Sequence, residues 1–488
     1  MSIDPRTPVL VGAAAVQQRE EDPERALEPV ELMALALERA ARDAVGAGLL
    51  ERADAIRVPR GFWDYPDPGR ILAGRLGADA ARTQVAEVGI LQTSLFGHAA
   101  RDIAAGHCDV VLLAGGEAKF RSLRAEIAGG RAGLQSQPEG TEPDEVLRPG
   151  AEIMAPEEIA AGLTLPVAQY SLIENALRFA DGQSLDAHRD AVAELWAGFA
   201  AVAAGNPGAW NREGVGPREI RDPSARNRML AFPYTKLHSS QWNVDQAAGL
   251  ILCSLETARR AGVPEERWVF PLAVTESNHM VSLSQRAELH RSPGFEIAGR
   301  RAFEHAGADP AALRHVELYS CFPSAVRVQA RELGVPLDPA PTLTGGMTFG
   351  GGPLNNFVLQ AACRMAGALR ESPGSAGLLT AVSGLLTKQG VSLWSTEPPA
   401  AGFRFEDVSA EAERRTRRVR LVEEHSGEAR VASYTVQYEG GEPARGVLLC
   451  DLEEGLRCIA ETGSPEEAAV LTREEFCGRK LQLRDGRL

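Results

Sequence analysis

Two textures alternate along most of the chain, continuous apolar runs and segments with a helical period, and a third takes over near the C-terminus. The run Pro8-Val9-Leu10-Val11-Gly12 predicts a short buried strand, and 29–45 then carries Leu32, Leu35, Ala36 and Ala40 at helical spacing. A helix over 99–105 closes at Gly106, and 108–116 is an apolar strand ending in glycines. A helix followed by a continuous apolar strand is the grammar of an α/β sheet covered on both faces.

From Phe120 the pattern changes. Residues 129–150 are rich in Gly, Pro, Glu and Gln and predict a long surface loop. Helices over 167–179 and 184–204 follow, the second opened by Ser184 and Asp186 and stopped by Asn206-Pro207-Gly208. Sheet texture resumes at 244–254. A second half repeats the order, with helices over 294–306, 324–333 and 357–369 and strands over 316–318 and 377–382, which suggests an internal duplication. Beyond Pro398-Pro399, Ala432, Tyr434, Val436 and Tyr438 alternate with polar residues, and Gly440-Gly441 signals a hairpin. The expected organisation is a first half from 1–119 and 236–270, a helical insertion over 120–235, a second half over 271–400, and a small β-domain over 401–488.

Composition narrows the class. At 488 residues the chain exceeds a single small core, and 44% hydrophobic with 24% charged residues is ordinary globular content. The net charge of −14 argues against a general nucleic-acid binder. Seven scattered cysteines without a CxxC pair predict neither a disulfide framework nor a structural zinc site. No apolar run has membrane-spanning length and the N-terminus lacks a signal-peptide pattern, so a cytoplasmic protein without metal or membrane partner is expected.

The most informative stretch is 315–356. It reads as a buried strand ending in Tyr319-Ser320-Cys321, a helix, and a glycine loop, Gly345-Gly346-Met347-Thr348-Phe349-Gly350-Gly351-Gly352-Pro353-Leu354-Asn355-Asn356. Glycines let backbone approach a ligand closely, and a helix start favours negative charge. Pro353 implies a helix beginning there, with a left-handed residue expected among Gly350, Gly351 and Gly352. Asn355 and Asn356 fit either donation to a carbonyl or helix capping. Arg218, Arg221, Arg226, Arg228 and Lys236 form a basic cluster suited to phosphates, although Glu213, Glu219 and Asp222 are interleaved. Lys388, in a predicted loop, reads as solvated.

Several of these segments resemble the thiolase superfamily. Asp109 to Ala118 resembles the helix–strand segment behind its nucleophile, and Asn243-Val244-Asp245-Gln246-Ala247-Ala248 resembles its second-strand motif. Glu317-Leu318-Tyr319-Ser320-Cys321-Phe322 stands where members have Asn-Glu-Ala-Phe or His-Asp-Cys-Phe, and Gly351-Gly352-Pro353-Leu354 where they have Gly-His-Pro. The order and extent are most similar to actinobacterial thiolase-like proteins labelled acetyl-CoA acetyltransferases, with a C-terminal domain resembling an OB fold. The resemblance implies a duplicated α/β fold with a five-layered αβαβα body, a helical loop domain over an acyl-CoA pocket, and coenzyme A as part of the substrate. It also implies pairing through the sheet edge near 90–120, which an added β-domain is placed to cover; monomer and homodimer both stay open.

The departures concern the chemistry. Spacing puts the family's nucleophilic cysteine at Gly89, Ile90 or Leu91, its second cysteine near Val382, its activating histidine at Gly352 and its oxyanion-site asparagine at Tyr319. The remaining candidates for catalysis are Tyr319, Cys321, Asn355 and His290. Gly351, Gly352, Asn356 and Gly384 are candidates for substrate contact, and Arg221, Arg226, Arg228 and Lys236 for the coenzyme A phosphates. Three functions follow as expectations: acyl-CoA chemistry by a route without the cysteines, a retro-aldol lyase with Tyr319 as base, or a binding protein that lost turnover.

Overall fold

A computed structural model describes residues 3–423 and 425–488; Met1, Ser2 and Glu424 lie outside the described residues. Two mixed sheets form the body. The first runs in the order Pro8–Gln18, Asp245–Ser254, Val110–Ala118, Ala55–Pro59, Arg82–Ala86, Glu145–Leu147. The second runs His315–Glu317, Ala376–Ser383, Lys388–Ser395, Phe270–Ser277, Arg404–Asp407. Helices Gln92–Ala104 and Phe357–Glu371 lie between the sheets and touch strands of both, while Pro29–Ala44 and Pro293–Ala306 cover the outer faces. This is the duplicated, five-layered arrangement the resemblance implied. It explains the apolar runs: strands such as Val110–Ala118 and Asp245–Ser254 are buried at every position.

Helices predicted from the 3.6-residue period are present. Leu185–Gly205 begins where Ser184 accepts a hydrogen bond from Ala187 N, and Pro166–Ala180 precedes it. Strands Ala55–Pro59, Arg82–Ala86 and Lys388–Ser395 lack a two-residue alternation because both faces are covered, and the pattern did not separate them from loops.

Three placements differ from the sequence expectation. The loop over 129–150 contains a short strand, Glu145–Leu147, that pairs in parallel with Arg82–Ala86. It is this segment, not the C-terminal β-domain, that covers the outer edge of the first sheet. Arg404–Asp407, expected to open the C-terminal domain, instead extends the second core sheet beside Phe270–Ser277. In the insertion, the hairpin Met229–Ala231 and Tyr234–Thr235 joins the C-terminal sheet through Gln437 and Ala231.

That third sheet is built on Gly427–Glu439 and Glu442–Asp451 and packs on helix Pro166–Ala180. Ser433 Oγ donates to Leu172 O at 2.6 Å, and Asn175 Nδ2 donates to Tyr434 O at 2.8 Å. Arg457, fully buried, donates to Ser284 O at 3.0 Å and Arg286 O at 2.6 Å. The C-terminal domain therefore buttresses the segment behind the candidate site.

Candidate functional site

The glycine loop hangs from one buried carboxyl. Glu317 accepts from Leu343 N at 2.7 Å, Thr344 N at 2.8 Å, Thr342 Oγ1 at 2.9 Å and Thr344 Oγ1 at 3.0 Å. Burial raises its pKa to about 7 even though these donors pull it down. Ser320 Oγ accepts from Met347 N at 3.1 Å, so the strand end and the loop form one unit. From the insertion, Trp196 Nε1 donates to Thr348 Oγ1 at 3.2 Å and Asn206 Nδ2 to Thr344 O at 3.0 Å. Residues Gly346–Gly350 make a π-turn.

Of the three consecutive glycines, Gly351 is the left-handed one. Its φ is +107°, and a Cβ there would stand 2.2 Å from Gln246 Oε1. Gly352, the histidine position of the resemblance, lacks a left-handed φ. A Cβ at Gly352 would meet Ser240 Cβ at 3.2 Å and the carbonyl oxygens of Gln241 and Met347 at 3.3 Å. The slot is closed by packing rather than by a special conformation at that residue. Pro353 precedes a 3-10 turn, Leu354–Asn356, and the α-helix starts at Phe357.

Asn355 and Asn356 serve neither as caps nor as free donors. Asn355 Nδ2 donates to Arg60 O at 2.7 Å, and its Oδ1 accepts from Gln92 Nε2 at 2.7 Å, which ties the two halves together. Asn356 Nδ2 reaches Gln246 O at 3.4 Å, and its Oδ1 is without a partner.

Tyr319 and Cys321 are brought together beside Tyr170, whose ring stacks on Phe322 with centroids 4.7 Å apart. Burial raises the Tyr319 phenol above its ordinary value, with Cys321 adding to the rise, and pushes the Cys321 thiol up to about 12. Both groups are held neutral. This opposes a thiolate at Cys321 and a base at Tyr319, because either role needs the charged form to be favoured.

The other candidates lie elsewhere. His290 is half-buried; burial, and then Arg331, lower its pKa, and its other charged neighbours are Glu288, Arg291 and Asp181. Arg221 is occupied by Asp190 at 2.6 Å and by Asp186 and Asp222 at 2.8 Å. That acidic cage corrects its reading as a phosphate ligand. Arg218, Arg226, Arg228 and Lys236 are exposed.

Near the two positions that the resemblance assigns to cysteines, buried cations hold backbone carbonyls. Gly89 has a φ of +102°, and a Cβ there would press on Pro149 at 3.2 Å. Its carbonyl accepts from Lys388 Nζ. Lys388 is 4% exposed rather than solvated, and burial lowers its pKa while Glu276 opposes that. Glu276 in turn accepts from Ser94 Oγ at 2.5 Å. The signal was available in the sequence: Lys388 opens the run to Trp394, which continues as a strand. Two residues beyond Val382, Gly384 O accepts from Arg286 Nη2 at 3.0 Å. The cleft behind it, lined by Arg286, Ser292, Thr387 and Gln389, encloses about 20 Å³, room for one water. Among the described residues no group of three or more His, Cys, Asp and Glu is placed to hold a metal ion, and no helix is long and apolar enough to cross a membrane.

Residues 410–487 match the family described as thiolase-like protein type 1 additional C-terminal domain. No curated protein sequence matches. Among solved structures, a monomeric SCP2-thiolase like protein type 1 from Mycobacterium smegmatis superposes with a TM-score of 0.83 at 29% identity, covering 100% of this chain and 99% of that one. An Ltp2-ChsH2(DUF35) aldolase gives 0.59 at 17% identity, covering 81% of this chain and 99% of the other. An acetyl-CoA acetyltransferase from Syntrophomonas wolfei gives 0.55 at 16% identity, covering 80% and 99%. The last two likenesses carry the fold alone.

Proposed function

We propose that this chain is a thiolase-like protein that binds acyl-CoA or a related thioester and forms no acyl-enzyme. The observation that carries the reading is the closure of the nucleophile slot. Gly89 has no side chain and a left-handed φ, a Cβ there would press on Pro149 at 3.2 Å, and Lys388 holds the carbonyl. Cys321, the thiol beside Tyr170 and Tyr319, is kept neutral by burial. The thioester half of the reading is our inference from the shared fold, one neighbour of which is named as an acetyl-CoA acetyltransferase. A covered outer edge on Arg82–Ala86 favours a single chain, as in the relative described as monomeric.

Calorimetric titration with acetyl-CoA and longer acyl-CoAs, paired with intact-mass spectrometry, tests both halves. Saturable binding with an unchanged protein mass is the expected result. An acetyl adduct on the 85–97 peptide, or no binding of any thioester, would each remove the proposal.

A further inference from the structure

Two aromatic side chains stand out from pinned loops beside the glycine loop. Phe62 is 51% exposed and Trp242 52% exposed, and their rings meet edge to face with centroids 5.6 Å apart. Lys119 Nζ lies 5.2 Å from the Phe62 ring centroid and 5.6 Å from that of Trp242. Neither ring is on a loose segment. Phe62 N donates to Glu117 Oε1 at 2.8 Å, and the neighbouring Trp63 Nε1 donates to Gly116 O at 3.0 Å. On the other side, Gln241 N donates to Met347 O at 2.9 Å and Gly352 N to Gln241 O at 2.8 Å, so Trp242 is fixed to the glycine loop.

The position fits a ligand. Phe62 follows strand Ala55–Pro59 and Lys119 follows Val110–Ala118, at the carboxyl ends of parallel neighbours, where α/β sheets present their ligand crevices. The charge fits as well. Glu117 is the carboxyl closest along the chain; burial raises it to about 7, so it offsets the ammonium only in part. Rigid, half-exposed rings with a cation between them complement a flat π-system carrying negative charge. An acyl chain would make no use of the ammonium.

We propose that Phe62, Trp242 and Lys119 form a purine-nucleotide subsite that takes the adenosine phosphate end of coenzyme A. This rests on the thioester reading above, and it moves the nucleotide away from Arg221, whose charge is already matched by three aspartates. Base stacking on the rings and ion pairing with Lys119 make separate demands, so each residue has its own signature.

The experiment titrates the full chain with adenosine 3′,5′-bisphosphate, coenzyme A and S-acetylpantetheine, following tryptophan fluorescence and heat. Trp242→Ala and Phe62→Ala are expected to weaken the two nucleotide ligands by roughly tenfold each, a typical loss for one stacking partner. Lys119→Met is expected to flatten their salt dependence. S-acetylpantetheine affinity should not change, and melting temperatures should stay within a degree or two because both rings are half-exposed. Unaltered coenzyme A affinity in all three variants overturns the subsite while leaving thioester binding intact. Binding of the bisphosphate through these residues with no binding of S-acetylpantetheine keeps the subsite and removes the thioester reading. No binding of any of the three probes removes both.

Discussion

Two turns at or next to the cysteine positions of the thiolase resemblance are held by the same device in two geometries. Ahead of helix Gln92–Ala104, a single glycine, Gly89, turns the chain, and Lys388 donates to its carbonyl. After strand Ala376–Ser383, three successive residues are left-handed, Gly384 at φ +55°, Leu385 at +54° and Leu386 at +73°, and Arg286 donates to the Gly384 carbonyl. Both cations are buried and both have their pKa lowered by that burial, Arg286 to about 10. A reactive thiol needs an open slot and an environment that favours its anion. A buried cation on a backbone carbonyl supplies rigidity in its place. The difference lies in cost: the first turn uses a residue made for the conformation, and the second forces two leucines into it.

The most direct way to break the comparison is to remove a clamp. Lys388→Met deletes a charge-assisted hydrogen bond in the core and leaves Glu276 facing Ser94 and Asn278 with no cation nearby. A loss of about 3 kcal/mol is expected from the orphaned carbonyl and the uncompensated acid together. Denaturant unfolding measures it. A loss below 1 kcal/mol would show that the clamp is incidental and that Gly89 holds its turn alone.

A second test sharpens the contrast through the acid behind the C-terminal turn. Glu317 sits on the strand paired with Ala376–Ser383, and burial raises it to about 7. An unfolded glutamate titrates near 4.3. Between these values the folded state keeps a proton the unfolded state has lost, so stability falls as pH rises through the window, by on the order of 3–4 kcal/mol. Glu317→Gln mimics the protonated form and should flatten that part of the stability–pH curve, with the Thr342 and Thr344 hydroxyls turning to accept from the new amide. Parallel curves for the variant and the parent would place the ionisation outside the window. Glu117, also raised to about 7, should keep a residual slope in both.

How much of this was legible beforehand follows from what periodicity can encode. The duplicated body was readable because runs such as Val110–Ala118 are almost wholly apolar, and the Leu185–Gly205 helix because Ser184 and Asp186 open it and Asn206-Pro207-Gly208 stops it. The empty cysteine positions were readable by counting. The clamps were not, because a lysine's burial depends on a partner 299 positions away, Gly89, which no local pattern reports. Arg221 failed for the complementary reason. Its spacing from other basic residues suggested a phosphate site, while two of its three acidic partners, Asp186 and Asp190, come from a different helix. No local pattern marks Phe62 or Trp242, and only the fold shows that both are turned outward at one crevice.

The smallest expected effect isolates backbone strain from side-chain packing at the second turn. Leu385 has φ 54° and ψ 51° and is 8% exposed, so replacing it by either alanine or glycine removes nearly the same buried side chain. In a helix or strand, glycine would be the worse choice by roughly 0.5–1 kcal/mol. Here the order should reverse. A residue with a Cβ pays about 1–2 kcal/mol in the left-handed region, and glycine does not. Leu385→Gly is therefore expected to be about 1 kcal/mol more stable than Leu385→Ala, although both fall below the parent because the leucine's packing is lost. The comparison uses the difference between two variants, so the packing term largely cancels. If alanine proves equal or better, the turn has relaxed out of its left-handed path once the leucine is gone, and the two turns differ in sequence without differing in stored strain.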